Sequence, residues 1–347
     1  MTFKSDNAWG VSTEIFEAMV AANQGVASSY GQDEHSMQLG ERLAQIFGKN
    51  VRYFLTSTGT AANSLAIASI CPSYGIVYCH EESHINHDEC SSPEMITGGA
   101  KICPIPGEHG KIDPQLLENK IVGHLEMRPH QGMPGCISIT QANECGSVYT
   151  IDEIQNLRKV ALKYQLPMHI DGARFANALV SLNCHPKDLT SGLGIDVISF
   201  GGTKNGALAA EAVVFLNLDF GKKADFLHKK MGQLLSKTRF FSSQFLAYLD
   251  ESLWIRNAEH ANKMAKKLAD VLCSHPSISL KHPCEINEIF AHIPKPITNL
   301  LIEHGIQFYC WSKEEDCYRF VTSFMNKQSE IDLVAKILSS VEAKHYT

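Results

Sequence analysis

Lys204 stands in ISFGGTKNGALAAEAVVF (198–215), a glycine-rich window almost free of charge that follows an apolar run. A lysine held away from water is a usable amine nucleophile, the property on which Schiff-base lysines depend. HIDGARFANALVSL (169–182) places Asp171 at the end of another apolar run, with Arg174 just beyond it. A carboxylate there could bind a cation, a ribose or a protonated ring nitrogen, or simply cap the next helix. In STGTAANSLA (57–66), Gly59 precedes Thr60 and Ala61 at the start of a helical pattern. Free N–H groups behind a glycine make an anion cradle, although the Gly-Lys-Ser/Thr of a Walker A loop does not follow. YRFVTSF (318–324) alternates Arg319 into an apolar strand, either as a water-facing edge residue or as a bidentate carboxylate clamp.

The stretch CHEESHINHDEC (79–90) gathers His80, His84 and His87 between Cys79 and Cys90. On a helix the three imidazoles would share a face, which raises a zinc-binding interaction protein as one reading. The span lacks CxxC pairs and the HExxH order of a zinc enzyme. The other reading gives one histidine a task that needs no metal, with His80 and His87 as local hydrogen-bonding residues and Cys79 and Cys90 as core thiols.

These residues need elements to hold them. Short apolar runs at 51–55, 75–79, 100–105, 135–140, 167–172, 196–201 and 211–216 read as seven strands. Helical patterns lie between them, at 62–70 and at 150–165, where Thr150 and Glu153 form a capping box. Such alternation predicts a mostly parallel sheet with helices on both faces and ligands beyond the carboxyl ends of the strands. From about residue 240 longer helices take over, at 261–275 and 329–343. The expected division is a large domain over 1–245 and a smaller C-terminal α/β domain over 246–347.

The chain of 347 residues, 44% hydrophobic and 20% charged, is long enough for this core without staples. A net charge of -6 argues against a polyanion binder, so any phosphate must be held locally. The opening MTFKSDNAWG predicts no secretory signal, and no run is long enough to span a membrane. Eleven scattered cysteines read as reduced thiols in a cytoplasmic protein, with Cys103 and Cys136 in apolar runs.

Individually these signals are soft; their order is specific. An anion cradle, then a histidine, then Asp at a strand end, then Lys after the next strand and a late Arg is the layout that pyridoxal 5'-phosphate needs. STGTAAN (57–63), DGARFANA (171–178) and FGGTKNG (200–206) resemble the motifs of threonine aldolases, members of the fold-type-I pyridoxal-phosphate enzymes. The likeness runs from SDN (5–7) to RFVTSF (319–324). It is closest to the bacterial low-specificity L-threonine and phenylserine aldolases.

The resemblance implies Lys204 as the Schiff-base lysine, Asp171 beside the pyridine nitrogen, and Gly59 and Thr60 on the phosphate. Arg174 stands with the cofactor and, together with Arg319 and Ser5, holds the substrate carboxylate. Tyr30 resembles a tyrosine that reaches a neighbouring subunit's site, which implies a homotetramer built of dimers with shared sites. His84 matches a histidine stacked on the cofactor ring, with Glu89 close by. His130 aligns with a second histidine that acts on the substrate hydroxyl. No metal is implied. Two departures stand out: Gln141-Ala142-Asn143-Glu144 replaces an Glu-Asn-Thr-His-like stretch, and Glu211 replaces a small residue. The implied reaction is retro-aldol cleavage of L-threonine, L-allo-threonine or a related β-hydroxy-α-amino acid, phenylserine included, to glycine and an aldehyde. Competing readings with the same cofactor are β-elimination, racemisation and transamination.

Overall fold

The structure is a computed structural model and describes residues 1–341. Seven strands form the main sheet: β1 (Arg52–Thr56), β2 (Gly75–His80), β3 (Lys101–Ile105), β4 (Met133–Thr140), β5 (Met168–Gly172), β6 (Val197–Gly201) and β7 (Glu211–Phe215). Their order is β1-β7-β6-β5-β4-β2-β3. Neighbours from β3 to β6 are parallel, while β7 runs antiparallel to both β1 and β6. Six strands therefore end on one edge, and β7 begins there. This is the expected fold, and every predicted strand is present.

The interior strands are buried at every position of β2, β5, β6 and β7, as expected for near-continuous apolar runs covered by helices on both faces. The helix Gly59–Ile70 packs against β6 and β7 and is itself covered by the helices Ser92–Thr97 and Gly221–Lys230. Its residues from Ala61 to Ile70 are all buried. Small side chains on every face allow that close approach. The helix Ile151–Lys163 opens with the predicted capping box and buries Ile154, Leu157, Val160 and Ala161.

A second sheet, antiparallel and four-stranded, follows: β8 (Ser279–Leu280), β9 (Glu288–His292), β10 (Tyr309–Ser312) and β11 (Cys317–Val321), in the order β10-β11-β9-β8. The helices Leu253–Cys273, Lys295–Glu303 and Gln328–Ser339 pack around it, giving a core that includes Leu268, Leu272, Ile289, Phe320 and Val334. The helix expected over 329–343 is Gln328–Ser339, and positions 342 and 343 lie outside the described residues. Phe3 is fully buried in this core, tied by backbone hydrogen bonds to Gln307 and Val321. The N-terminal segment is thereby drawn across the molecule, and Ser5 and Asp6 follow it to the edge of the large sheet. Among the described residues, no helix is long and apolar enough to cross a membrane.

Candidate active site

A cavity of about 810 Å³ lies at the carboxyl edge of the large sheet, walled on one side by the small sheet. Ser5, Gly59, Thr60, His84, Asp171, Arg174, Lys204 and Arg319 all line it. They come from six separate stretches of chain, four gathered by the direction of the large-sheet strands, and Ser5 and Arg319 brought by the N-terminal segment and the small sheet.

After β1 the chain turns into the helix Gly59–Ile70. Thr58 caps it, its Oγ1 accepting from Ala61 N at 3.2 Å. The N–H groups of Gly59 and Thr60 have no partner within the helix, and a Cβ on Gly59 would meet nothing within 4 Å. The helix end is open to the cavity, a fitting seat for a phosphate.

After β2 the chain delivers His84. Its backbone N–H donates to Glu144 Oε1 at 2.7 Å, and its Nδ1 lies 2.9 Å from Glu89 Oε1. Nε2 is left to the cavity side. The hydrogen bond from His84 Nδ1 to the Glu89 carboxylate pulls the His84 pKa up, against the opposing effect of burial. Burial pushes the Glu89 carboxyl up as well. Glu89 does not line the cavity; it stands behind His84 and orients it. His80 is buried, bonded to Gly107 O at 3.0 Å, and His87 is exposed. Cys79 is a core thiol, but Cys90 is exposed in a turn with φ 49°, which corrects the expectation for it.

Asp171 ends β5, buried, with Oδ1 accepting from Ala173 N at 3.0 Å. Arg174 follows and is gripped by Asp6: Nε donates to Oδ2 at 2.8 Å and Nη2 to Oδ1 at 3.1 Å. Its Nη1 lies 3.2 Å from Glu288 Oε2. Burial drives the Asp6 carboxyl up, yet the charges of Arg174 and Lys204 outweigh it and hold the group below the usual range. Arg319, on β11, is looser. Its Nη1 is 4.0 Å from Glu288 Oε1, its guanidinium lies over Tyr309 and Trp311, and its Nε is buried without a partner.

Lys204 sits on the turn after β6. Asn205 Nδ2 anchors that turn to Tyr248 Oη at 2.9 Å and Trp254 O at 2.8 Å. Gly206 closes it at φ 115°, where any side chain would collide with Ser12. Glu211 opens β7 between Thr56 and Gly201, and burial pushes its carboxyl up to about 7. Burial, aided by the Asp171 charge, does the same to Glu144.

Besides Glu89, two further expected residues are not in this cavity. His130 is exposed and precedes β4, so strand direction puts it at the opposite edge of its own sheet. Tyr30 is half exposed beside a different depression lined by Tyr53, Phe54 and His228. Sequence reasoning missed Asn63, Asp6, Glu288, Tyr309 and Trp311. Asn63 was legible, because it lies one helical turn beyond Gly59 on the same face. Glu288 offered no such signal: it opens β9, a strand not expected from the sequence.

An open helix end, an amine, a buried carboxylate and an imidazole around one cavity fit pyridoxal phosphate, for which the helix end would take the phosphate, Lys204 the aldehyde carbon and Asp171 the ring nitrogen. Among the described residues, no three His, Cys, Asp or Glu side chains are grouped to hold a metal ion.

Comparison with known proteins gives a consistent result. The family described as beta-eliminating lyase matches residues 2–295. The low-specificity L-threonine aldolase of Pseudomonas aeruginosa is 37% identical over 322 residues, 93% of this chain and 92% of that protein. The protein of the same name from a Pseudomonas species is 36% identical over 342 residues, 98% of each. A threonine aldolase structure from Leishmania major superposes with a TM-score of 0.91 at 24% identity, over 97% of this chain and 98% of the other, a likeness of fold.

Proposed function

Because the chain belongs to the beta-eliminating lyase family, on its threonine aldolase branch, we propose that the cavity at the carboxyl edge is its active site. The protein is a pyridoxal-phosphate-dependent lyase that cleaves threonine to glycine and an aldehyde. The observation that carries the site assignment is the convergence of the open helix end, Asp171, Lys204 and His84 on one cavity. β-Elimination, racemisation and transamination are not favoured, since the relatives named above are threonine aldolases over nearly their whole length.

Bound pyridoxal phosphate supplies a sink for the electrons of a breaking Cα–Cβ bond. Gly59 and Thr60 would hold its phosphate on the positive helix end, and the charge of Asp171 would favour a protonated ring nitrogen. Lys204 would supply the amine that holds its aldehyde carbon. Arg319, with Ser5 and Arg174 around it, fixes the substrate carboxylate, so that the scissile bond takes one orientation relative to the ring. His84 Nε2 takes the proton of the β-hydroxyl. Glu89 on Nδ1 fixes the tautomer and makes the imidazole a stronger base.

The finer assignments belong to the same reading. L-allo-Threonine and phenylserine are further substrates. The chain works in the cytoplasm as a homotetramer, with Tyr30 completing a neighbour's site. Exposed Phe16, Val20, Val26 and Met37 on the N-terminal helices and turn supply apolar surface for a second copy. His130 reaches a substrate hydroxyl only from such a copy. The large domain would span 1–245 and the smaller one 246–347, with Phe3 seated in the core of the second.

The deciding measurement is aldehyde release from L-threonine, L-allo-threonine and L-phenylserine beside their D forms, on protein loaded with the cofactor. Release from L forms is expected. Activity confined to D forms, or absent on all six, would sink the assignment.

A further inference from the structure

Asn63 is 1% exposed, in the first turns of the helix Gly59–Ile70. Its Nδ2 donates twice, to Glu89 Oε1 at 2.7 Å and to Asp171 Oδ2 at 2.7 Å. The same Glu89 oxygen takes the His84 Nδ1 contact at 2.9 Å. Chemistry fixes the orientation of the amide, because two carboxylate acceptors demand the NH2 group. The consequence is an Asn63 Oδ1 that is buried without a partner. A buried orphan acceptor is a net cost to the fold, so the placement calls for a functional reason.

We propose that Asn63 is a positioning residue, whose single amide ties the carboxylate facing the cofactor ring nitrogen to the carboxylate that orients His84. The inference rests on the roles given above to Asp171 and His84. Two buried carboxylates in one network repel, and each needs a donor to remain ionised. The amide supplies one N–H to each, in the strong charge-assisted form. The ionisable groups facing His84 are Glu89 from its own turn, Asp171 from β5 and Lys204 after β6, with Glu144 on its backbone N–H. Among the described residues, Asn63 is the one side chain that bonds both Glu89 and Asp171.

The test compares Asn63→Asp, which keeps the volume but replaces the donor, with Asn63→Ala. Two readouts are taken: the cofactor dissociation constant, from titration of the stripped protein, and the pH dependence of kcat/KM for L-threonine. Both variants are expected to bind the cofactor about ten- to hundredfold more weakly, the scale of lost hydrogen bonds to charged groups. In Asn63→Asp the acid limb of kcat/KM moves to higher pH, because an added carboxylate holds the proton on His84. Wild-type values in Asn63→Asp would mean that Asn63 only fills space, and the proposal falls. In Asn63→Asp a change in one readout alone overturns it too, since the coupling would be absent. Both readouts are taken on protein whose cofactor-free melting is cooperative; should the alanine variant not fold, the isosteric aspartate variant decides. A wild-type chain that fails to bind cofactor or release aldehyde would instead overturn the functional reading, a distinguishable result.

Discussion

The cavity has two halves with opposite charge logic. Around the proposed cofactor seat, Glu89, Glu144, Asp171 and Glu211 face Lys204 and His84, so acid outnumbers base. Around the proposed carboxylate seat, Arg174 and Arg319 face Asp6 and Glu288, two against two. The first half relieves its surplus by neutralising carboxyls, with Glu144 and Glu211 pushed up to about 7, and by sharing the Asn63 amide. It is arranged to receive a cation, which a protonated ring nitrogen provides. The second half is already neutral, so an incoming carboxylate must find a donor not yet claimed. Arg319, the more exposed and more loosely held of the two, is the proposed donor, while Arg174 is gripped on two sides.

The largest expected effect removes the single amine of the acidic half. Lys204→Ala should lower aldehyde release by at least about 10⁴-fold, the scale seen when a covalent catalytic group is deleted. The far-ultraviolet circular dichroism should stay as in the parent, since the turn is held by Asn205 and Gly206 and not by the lysine side chain. Full activity in this variant would deny the cofactor half its central group.

The two arginines test the other half directly. Arg174→Leu strands Asp6 and Glu288 as buried charges, and breaking such a pair costs about 3–5 kcal/mol. Arg319→Leu strands little, because Glu288 keeps Arg174 and the lost contact is 4.0 Å long. It should instead raise KM for L-threonine about tenfold or more while leaving the urea midpoint nearly unchanged. Equal losses of stability in the two variants would break the distinction between scaffold and binding arginine.

The two halves also differ in how much of them the sequence disclosed. Asp171, Lys204 and the STGT turn follow apolar strands directly, so a reader of strand ends meets them in order. Their shared cavity follows from parallel topology, which the alternation of runs makes plain. The carboxylate half depends on contacts between distant stretches: Asp6 meets Arg174 because Phe3 anchors in the small core, and Glu288 comes from a strand with no local signal. Such pairings carry no periodicity. His130 shows the converse, where local likeness placed a residue by alignment while strand direction carried it to the far edge. Asn63 lay in plain view within STGTAAN, yet its importance rests on two carboxylates that meet it only in the folded chain.

The smallest effect is on the pH dependence of stability, and here only the cofactor half should respond between pH 5 and pH 8. The Glu211 and Glu144 carboxyls are raised from an ordinary 4.5 to about 7 by burial. A group raised on folding stabilises the fold fully below its unfolded pKa and loses that contribution as pH climbs through the folded one. The parent chain, free of cofactor, should therefore lose stability between about pH 4.5 and pH 7, by up to ~3 kcal/mol for each group. Glu211→Gln and Glu144→Gln stay neutral throughout, so urea unfolding at pH 5 and pH 8 should show each variant gaining on the parent at the higher pH. Asp6 is the control, because its carboxyl is lowered from 3.8. Its contribution is present above the unfolded pKa and fades only as pH falls through the folded one, outside that window. Asp6→Asn should thus cost the same at pH 5 and pH 8. A parent and a Glu211→Gln chain with parallel stability from pH 5 to pH 8 would mean that this carboxyl stays ionised, and that the cofactor half tolerates its surplus charge without shedding it.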